Sequence, residues 1–489
     1  METRKPDQER ETQDRRREGI VSGVEGFNER GRRAIGDQQL HDAVATASRA
    51  FVTNRNAVLH ALPEAPELRE RAYRIKQQTM ANLDQYLEQM ADAVEERGGK
   101  VFFAADGEDV VRYVGDLARS KGAKVITKSK SMATEEIELN RRLEEEYADL
   151  ELEIVETDLG EWIAQLAGHT PSHIVGPILH MNRQQVTEVL SRTAGEPLPP
   201  DVEALTQFAR KRLREKFLTA DIGITGANFG VAETGTIVTV TNEGNARLVT
   251  SVPPVHVVVM GIEKLVPRFE DLSVFVQLLG RSGTGQDLTV YTNFITGPRG
   301  EGELDGAEEF HLILMDNGRS KLLGTDFEEA LYCIRCGACL NVCPVYRQTG
   351  GHAYGSTYSG PIGAVITPLL KGDEEAKDLP YASSLCGACW EACPVGIPLH
   401  DLLLKLRNRQ VEEGLKSRAE TLAFKGFENT MKNPVLYKIS GKAGSLTRKP
   451  LARGGSARPM PGPLGAWANS RELPAPAKKP FRRLWKEGI

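Results

Sequence analysis

All seven cysteines of the chain lie in two short runs whose spacing specifies a chemistry. The first run is Cys333-x2-Cys336-x2-Cys339-x3-Cys343, and it closes on Pro344. This is the complete spacing by which bacterial ferredoxins hold four-iron clusters. The second run is shorter and contains Cys386, Cys389 and Cys393, followed by Pro394. Because thiolate is the soft ligand that iron–sulfur clusters require, the two runs predict one-electron transfer.

The two runs are expected to exchange ligands between two clusters. Three closely spaced thiolates can occupy three corners of one cubane, and the fourth cysteine of the run then reaches the other cluster. Cluster 1 is therefore expected to take Cys333, Cys336, Cys339 and Cys393. Cluster 2 is expected to take Cys343, Cys386 and Cys389.

Cluster 2 lacks a fourth thiolate in this scheme, because Ser383 stands where the missing cysteine would be. A serine oxygen, from Ser383 or Ser384, or another residue could supply the fourth corner. The corner could instead be open to solvent, or the cluster could be the three-iron [3Fe-4S] form. We expect two [4Fe-4S] clusters, the second with a non-cysteine or open corner, and the sequence leaves the alternatives open.

Zinc is the main alternative for clustered cysteines. Structural zinc sites use four ligands per ion, typically as two separated pairs. The cysteines here instead follow the closely spaced ferredoxin pattern, with a closing Cys-Pro in both runs. His352, between the runs, and His400, after them, are interpreted as packing or surface residues. The pattern thus favours iron–sulfur clusters over zinc.

The elements that must position the cysteines follow an alternating pattern upstream of them. Residues 38–97 are typical of helices, and short apolar runs near 101, 125 and 153 then alternate with helical stretches. This alternation predicts βαβ units and a mainly parallel sheet. A hairpin is expected between residues 236–241 and 247–250, across a turn at Asn242.

The expected organisation has four parts. They are a polar leader (1–37), an α/β domain with N-terminal helices (38–300), an α-helical two-cluster ferredoxin-type domain (305–410) and a partly linker-like C-terminal extension (411–489). A length of 489 residues fits two folded units with extensions.

Composition excludes several classes of partner. The formal net charge is −5 with basic and acidic residues nearly balanced, so nothing indicates a nucleic-acid partner. The sequence has no long apolar run that could span a membrane, and its charged N-terminus lacks a signal core. We therefore expect a cytoplasmic protein whose electron acceptor is reached through a partner.

Two glycine-containing blocks carry a resemblance to a known family. They are TGANFGVAETGTIV at residues 225–238 and GSTYSGPIGAV at residues 355–365. With the cysteine pattern, they closely resemble the lactate utilization protein B family, over about residues 60–410. The resemblance implies a role in L-lactate oxidation to pyruvate beside other lactate-utilization subunits, as an electron carrier. It also implies the same seven-cysteine arrangement and an α/β domain similar to the isomerase and CoA-transferase-like fold.

The α/β domain offers polar candidates for a site of its own. They are Lys128, Lys130, Asp158, His180, Glu233, Asn245 and Arg247. No flavin or nicotinamide signature accompanies them, so the hydride acceptor is expected on another subunit. Two alternatives to the lactate carrier are an iron–sulfur subunit of another oxidoreductase (glycolate oxidase-like or heterodisulfide-reductase-like) and an anion-binding enzyme with regulatory clusters.

Overall fold

The computed structural model describes residues 26–446, 452–453, 456–457, 477–479 and 481–488. These residues form two compact units that divide between Arg409 and Gln410. The expected polar leader lies outside the described residues as far as residue 25. Across the ranges that the structure describes, no helix is both long and apolar enough to cross a membrane.

Four helices open the first unit: α1 (Phe27–Ile35), α2 (Gln38–His60), α3 (Ala65–Ala81) and α4 (Leu83–Glu95). The last part of the expected leader is therefore helical. Phe27 is buried and packs edge-on against Tyr354, with ring centroids 5.1 Å apart. Asp37 caps α2 by accepting a hydrogen bond from the Leu40 amide at 3.0 Å, which satisfies a free donor of the first turn.

Ten strands follow in the first unit. They are β1 (Lys100–Ala104), β2 (Val125–Lys128), β3 (Glu153–Glu156), β4 (Ile222–Thr225), β5 (Phe229–Val231), β6 (Thr236–Thr241), β7 (Val255–Gly261), β8 (Leu265–Val266), β9 (Tyr291–Ile295) and β10 (Glu309–Met315). Six of them form a wholly parallel sheet in the order β1-β10-β7-β4-β2-β3. Strands β4 and β7 are buried along their whole length, as in sheets covered on both faces. The predicted α/β class with a mainly parallel sheet is confirmed.

Eight helices accompany these strands. They are α5 (Gly107–Lys121), α6 (Met132–Glu136), α7 (Leu139–Glu146), α8 (Leu159–Ala167), α9 (Arg183–Ala194), α10 (Val202–Thr219), α11 (Asn245–Ser251) and α12 (Phe269–Gly283). Strand β10 pairs with β1 and β7, so the sheet extends beyond the boundary expected at residues 300–305. Its run of apolar residues suits a strand that is buried in the sheet.

The smaller sheet has the order β8-β5-β6-β9. The expected hairpin is wrong, because residues 247–250 lie in helix α11. Strand β6 pairs antiparallel with β5 and with β9, which begins about 50 residues further along the chain.

The cysteine runs lie among short helices of the first unit. These helices are α13 (Ala338–Val342), α14 (Tyr346–Thr349), α15 (Gly360–Lys371), α16 (Ala388–Ala392) and α17 (Leu399–Glu412), the last of which runs past the division between the units. The second unit contains α18 (Arg418–Lys432), α19 (Pro434–Leu446), β11 (Ala452–Arg453), β12 (Ser456–Ala457) and α20 (Phe481–Lys486).

Candidate metal centre

The first cysteine run forms a tight loop that ends in a short helix. Arg335 and Gly337 both adopt left-handed backbone conformations, with φ of 58° and 79°. Glycine suits its position because it lacks the Cβ that makes this region costly for other residues. The loop then enters α13, which carries Cys339, and Cys343 follows the helix directly.

The second run repeats this backbone. Leu385 and Gly387 are left-handed, with φ of 56° and 80°, and the loop enters α16, which carries Cys389. Cys393 follows that helix as Cys343 follows α13. Helices α13 and α16 pack against each other, so the two runs are neighbours in space.

Four thiols from both runs line one narrow enclosed cavity: Cys333, Cys336, Cys339 and Cys393. The rest of its wall is mostly apolar and includes Ile362, Val395 and Leu399. Such a wall excludes water from whatever the thiols bind. The last cysteine of the second run thus meets the first three cysteines of the first run.

The other three thiols are neighbours of one another. Burial raises the pKa of Cys389 to about 12, and the nearby Cys343 and Cys386 thiols add to this shift. Burial also raises the pKa of Cys343, again with Cys386 among its neighbours. Cys343 and Cys389 are buried, whereas Cys386 is exposed. The thiols thus form a group of four that are all at least partly buried and a second group of three that reaches the surface.

Ser383 occupies the place in the second loop that Cys333 occupies in the first. The Arg335 amide donates to Cys333 Sγ at 3.4 Å, and the Leu385 amide donates to Ser383 Oγ at 3.1 Å. Ser384 behaves differently, because its side chain hydrogen-bonds to Cys386. The Ser383 oxygen is therefore the structural counterpart of the first cysteine thiol.

Backbone amides surround the thiols. Amides of Ala338 and Ala388 donate to Cys336 and Cys386, respectively. Hydrogen bonds from the Ala388 amide and from Ser384 lower the pKa of Cys386. Donors of this kind stabilise negative charge on cluster sulfurs and raise the reduction potential.

This donor set fits a cluster better than a single ion. Among the residues that the structure describes, no three His, Cys, Asp or Glu side chains converge closely enough to hold one metal ion. A zinc site would need four ligands around a common point. A cubane is a larger cage with an iron at each ligated corner, so its thiolates stand further apart. The residues therefore fit iron–sulfur clusters, each supplying one-electron chemistry.

A second cavity, of about 330 Å³, lies in the α/β domain and reaches the first cysteine loop. Lys130, Asp158 and Asn245, three of the candidates from the sequence, line it. Arg335 and Cys336 also belong to its wall, so it borders the four-thiol group. These residues define the α/β cavity.

Two candidates in the α/β cavity have clear local roles. Asp158 caps α8 by accepting hydrogen bonds from the Gly160 and Glu161 amides at 3.0 and 3.1 Å. Lys130 donates to the Val175 carbonyl at 3.1 Å.

The other four candidates have structural roles away from the α/β cavity. Lys128 is fully buried and pairs with Glu156 at 2.7 Å; burial would lower its pKa, but the Glu156 and Glu135 charges raise it. His180 hydrogen-bonds to Ser172 at 2.8 Å, and burial lowers its pKa to about 3. Glu233 accepts from the Phe269 amide at 2.9 Å, at the start of α12. Arg247 forms an exposed pair with Asp305 at 3.4 Å.

The two histidines near the cysteine runs also have local partners. His352 Nε2 donates to the Thr170 carbonyl at 2.8 Å, and burial lowers its pKa. The His400 ring lies 6.0 Å from the Trp390 ring.

A buried charged network between the thiols and the sheet was missed by the sequence reasoning. Arg319 donates to both carboxylate oxygens of Glu136 at 2.9 and 2.8 Å, and to Glu263 at 2.6 Å. Glu263 in turn lies 3.6 Å from Arg335, which stacks over the Tyr358 ring at 4.3 Å. The only sequence signal for this network was the position of Arg335 inside the first cysteine run.

Burial and ion pairing have opposite effects on the pKa of Glu263 in this network. Burial would raise the pKa of Glu263, but the charges of Arg319, Lys264 and Arg335 outweigh it and lower that pKa to about 2. Burial lowers the pKa of Lys264 to about 8, and the neighbouring Arg335 charge adds to the shift. The Glu263 carboxylate is therefore ionised at neutral pH, and it lies close to several cations.

Comparison with known families matches three consecutive parts of the chain. Residues 87–315 match the LUD domain, residues 329–397 match the 4Fe-4S dicluster domain, and residues 406–488 match the C-terminal domain of lactate utilisation protein B. The dicluster match covers both cysteine runs.

Similar proteins match nearly the whole chain. A lactate utilization protein B from Shouchella clausii is 48% identical over 94% of this chain and 96% of its own length. One from Bacillus thuringiensis is 50% identical over 94% of this chain and 97% of its own. A solved structure, of a DUF162 family protein from Deinococcus radiodurans, covers 48% of this chain and 98% of its own at 13% identity. Its TM-score against this chain is 0.27.

Proposed function

This chain belongs to the lactate utilization protein B family, and from that premise we propose that it carries single electrons in the oxidation of L-lactate to pyruvate. The relatives are named for lactate utilization, and the match to a 4Fe-4S dicluster domain supports a redox role. The observation that carries the proposal is the division of the seven thiols into two neighbouring groups by two loops of the same backbone form.

We assign two clusters to these groups. Cluster 1 is bound by Cys333, Cys336, Cys339 and Cys393, which is supported by the enclosed cavity that these thiols share. Cluster 2 is bound by Cys343, Cys386 and Cys389, which is supported by their mutual electrostatic influence. Both clusters are of the four-iron type in this proposal, with one corner of cluster 2 not bound by thiolate.

The two clusters have different access to the surface. Cys386 is exposed, while all four thiols of cluster 1 are at least partly buried. Electron transfer with a partner is therefore easier at cluster 2, and cluster 1 lies deeper, next to the α/β cavity. This difference in exposure between the two clusters suits a carrier that passes electrons between a surface site and an interior site.

The oxidation of L-lactate itself requires a different group. Removing two electrons and two protons from a 2-hydroxy acid needs a base and a two-electron acceptor such as a flavin or nicotinamide. An iron–sulfur cluster accepts one electron and abstracts no proton. We therefore assign the chemical step to another lactate-utilization subunit and the collection of its electrons to this chain.

The experiment is anaerobic reduction of the fully loaded chain, followed by cluster absorbance. We expect no bleaching with L-lactate alone, and bleaching once the other lactate-utilization subunits are added. D-Lactate with the same subunits is the stereochemical control. Bleaching by L-lactate without any added subunit would contradict the assignment and move the chemical step into this chain.

We also propose that the α/β domain has the isomerase and CoA-transferase-like fold that the family resemblance implies. The parallel six-stranded sheet with flanking helices is compatible with it. A crystal structure of the loaded chain, with its parallel sheet superimposed on proteins of that fold, would test the proposal.

A further inference from the structure

The α/β cavity contains a buried cation, Arg335, whose two terminal nitrogens donate no hydrogen bond within the described part of the chain. Arg335 is 9% exposed, yet neither terminal nitrogen of its guanidinium has a hydrogen-bond partner among the described residues. Its nearest carboxylate, Glu263, is 3.6 Å away, which is beyond hydrogen-bond reach. A buried charged donor without an acceptor is costly, so a ligand that supplies one is favoured there.

The position of the guanidinium suits a planar anion. Its stacking over Tyr358 at 4.3 Å fixes the plane of the guanidinium group. Both terminal nitrogens can then form the two parallel hydrogen bonds by which arginine binds a carboxylate. Lys264 lines the same cavity and adds a second positive charge.

The remainder of the wall limits the charge of the ligand. Asp158, Glu243 and Glu263 line the cavity together with four cations, Lys130, Lys264, Arg319 and Arg335. Arg319 is already bound to Glu136 and Glu263. Acidic groups would repel a multiply charged phosphate, but they tolerate a monoanion that is held at the basic end. The fit is therefore to a single carboxylate.

The side-chain oxygen of Asn245 is a second buried polar group in the cavity wall, and it indicates a further functional group on the ligand. Asn245 is 8% exposed, and its side-chain oxygen has no hydrogen-bond partner among the described residues, although its amide nitrogen contacts Thr157 at 3.4 Å. A free acceptor calls for a donor such as a hydroxyl group. At about 330 Å³ the cavity is large enough for a small organic molecule.

We propose that the α/β cavity binds a small organic carboxylate that also bears a hydroxyl group, with Arg335 and Lys264 holding the carboxylate. Arg335 lies between Cys333 and Cys336 in the first cysteine loop, so the bound anion borders cluster 1. Binding should therefore change the magnetic environment of that cluster. The inference goes beyond the carrier role and rests on it only for the choice of L-lactate as the first probe.

The competing explanation is that Arg335, which also lines the four-thiol cavity, donates to the sulfurs of cluster 1 and that Arg335 and Lys264 only balance its negative charge. That explanation predicts no binding of added carboxylates. It also leaves the Asn245 side-chain oxygen without a hydrogen-bond partner among the described residues.

The test measures binding by the fully loaded chain without partner subunits and without turnover. Anaerobic titration calorimetry uses L-lactate, with inorganic phosphate and uncharged lactamide as controls, and the EPR spectrum of dithionite-reduced protein is recorded at each end point. We expect L-lactate to bind and to shift the EPR signal of one cluster, and neither control to do so. Failure of L-lactate to bind, or tighter binding of phosphate, would overturn the proposal. Neither result bears on electron transfer from a partner.

Variants locate the site. Arg335→Lys keeps the charge but loses the paired hydrogen bonds, and Lys264→Met removes a charge outside the cysteine loop; each should weaken L-lactate binding by at least about tenfold. Lys211→Met, at an exposed position of α10, is the matched control and should bind normally. Iron and sulfide analysis confirms loading, and Lys264→Met decides the test if Arg335→Lys does not load. Unchanged affinity in a loaded Lys264→Met chain would contradict the proposed placement.

Discussion

Ser383 is the residue at which the two cysteine loops differ in chemistry but not in backbone. Its oxygen accepts a hydrogen bond from the amide two residues later, as the Cys333 sulfur does in the first loop. A serine oxygen is a harder and weaker ligand for iron than a thiolate. One iron of cluster 2 should therefore be held less firmly than the other three.

This difference predicts the behaviour of a Ser383→Cys variant. Mild oxidation of the natural chain should release the weakly held iron and give the EPR signal of a three-iron cluster. Ser383→Cys supplies the fourth thiolate, so the three-iron signal should be largely lost and the iron content preserved. EPR before and after ferricyanide treatment, with iron analysis, measures the effect.

Ser384→Cys is the matched control, because Ser384 bonds to Cys386 and does not occupy the position equivalent to Cys333. It should leave the three-iron signal unchanged. If Ser384→Cys protected the cluster and Ser383→Cys did not, the equivalence of Ser383 and Cys333 would be wrong as a guide to ligation.

At the scale of single residues, the sequence indicated the thiols but not the groups around them. Regular spacing within a loop is a local signal, so the cysteine runs could be identified without a structure. Arg319 meets Glu136, and Arg335 meets Glu263, through contacts between distant segments, and no local pattern reports such contacts. Lys128 was a candidate for a site in the α/β domain by its residue type, but its side chain forms a buried ion pair with Glu156.

At the scale of elements, the Glu136 carboxylate connects helix α6 with residues that follow strand β10 and with Tyr358, which lies between the two cysteine runs. Glu136 ends α6 and accepts hydrogen bonds from Arg319, from Asn317 at 2.6 Å and from the Tyr358 hydroxyl. Burial would raise the pKa of Glu136, but the Arg319 charge and these hydrogen bonds lower it. The carboxylate therefore stays ionised while it is almost fully buried.

Glu136→Gln should lower the free energy of unfolding by about 3–5 kcal/mol, because it leaves the buried Arg319 charge only partly compensated. The measurement is denaturant unfolding of the loaded chain under anaerobic conditions. Asp149→Asn is the control, since Asp149 pairs with Arg119 on the surface. It should have no measurable effect, and an equal loss in both variants would argue against a special role for the buried pair.

Elements were predicted well where the signal was local and poorly where the partner was distant. The strands near 101, 125 and 153 follow from short apolar runs and are present as β1, β2 and β3. Residues 247–250 have the composition of a strand but form part of α11, which packs on β4. Gly223 in β4 permits this approach, because a Cβ there would lie 2.0 Å from the Val249 carbonyl oxygen. Tertiary packing thus overrides local propensity.

At the scale of the whole first unit, the cluster region shares its core with one side of the sheet. One hydrophobic cluster runs from Phe27 through Val258 of β7 and Leu278 of α12 to Leu406 of α17, and it includes Cys339. The opposite side of β7 belongs to a separate cluster that contains Val257. The sequence predicts a domain boundary near residue 305 and does not show that one core spans it. The contacts across that boundary join residues that are far apart in the chain.

Loss of the clusters should therefore loosen the molecule on one side of the sheet. Removing iron withdraws the bonds that tie the two cysteine loops together, so we expect the melting temperature to fall by on the order of 10 °C. Amide hydrogen exchange should accelerate in α12, which shares the core of Cys339, and stay unchanged in α5, whose buried residues belong to the other cluster. Mass spectrometry of loaded and chelator-treated protein under anaerobic conditions measures both helices in one experiment. Equal acceleration in α5 and α12 would mean that the unit unfolds as a whole, and no change in α12 would mean that the cluster region is energetically independent of the sheet.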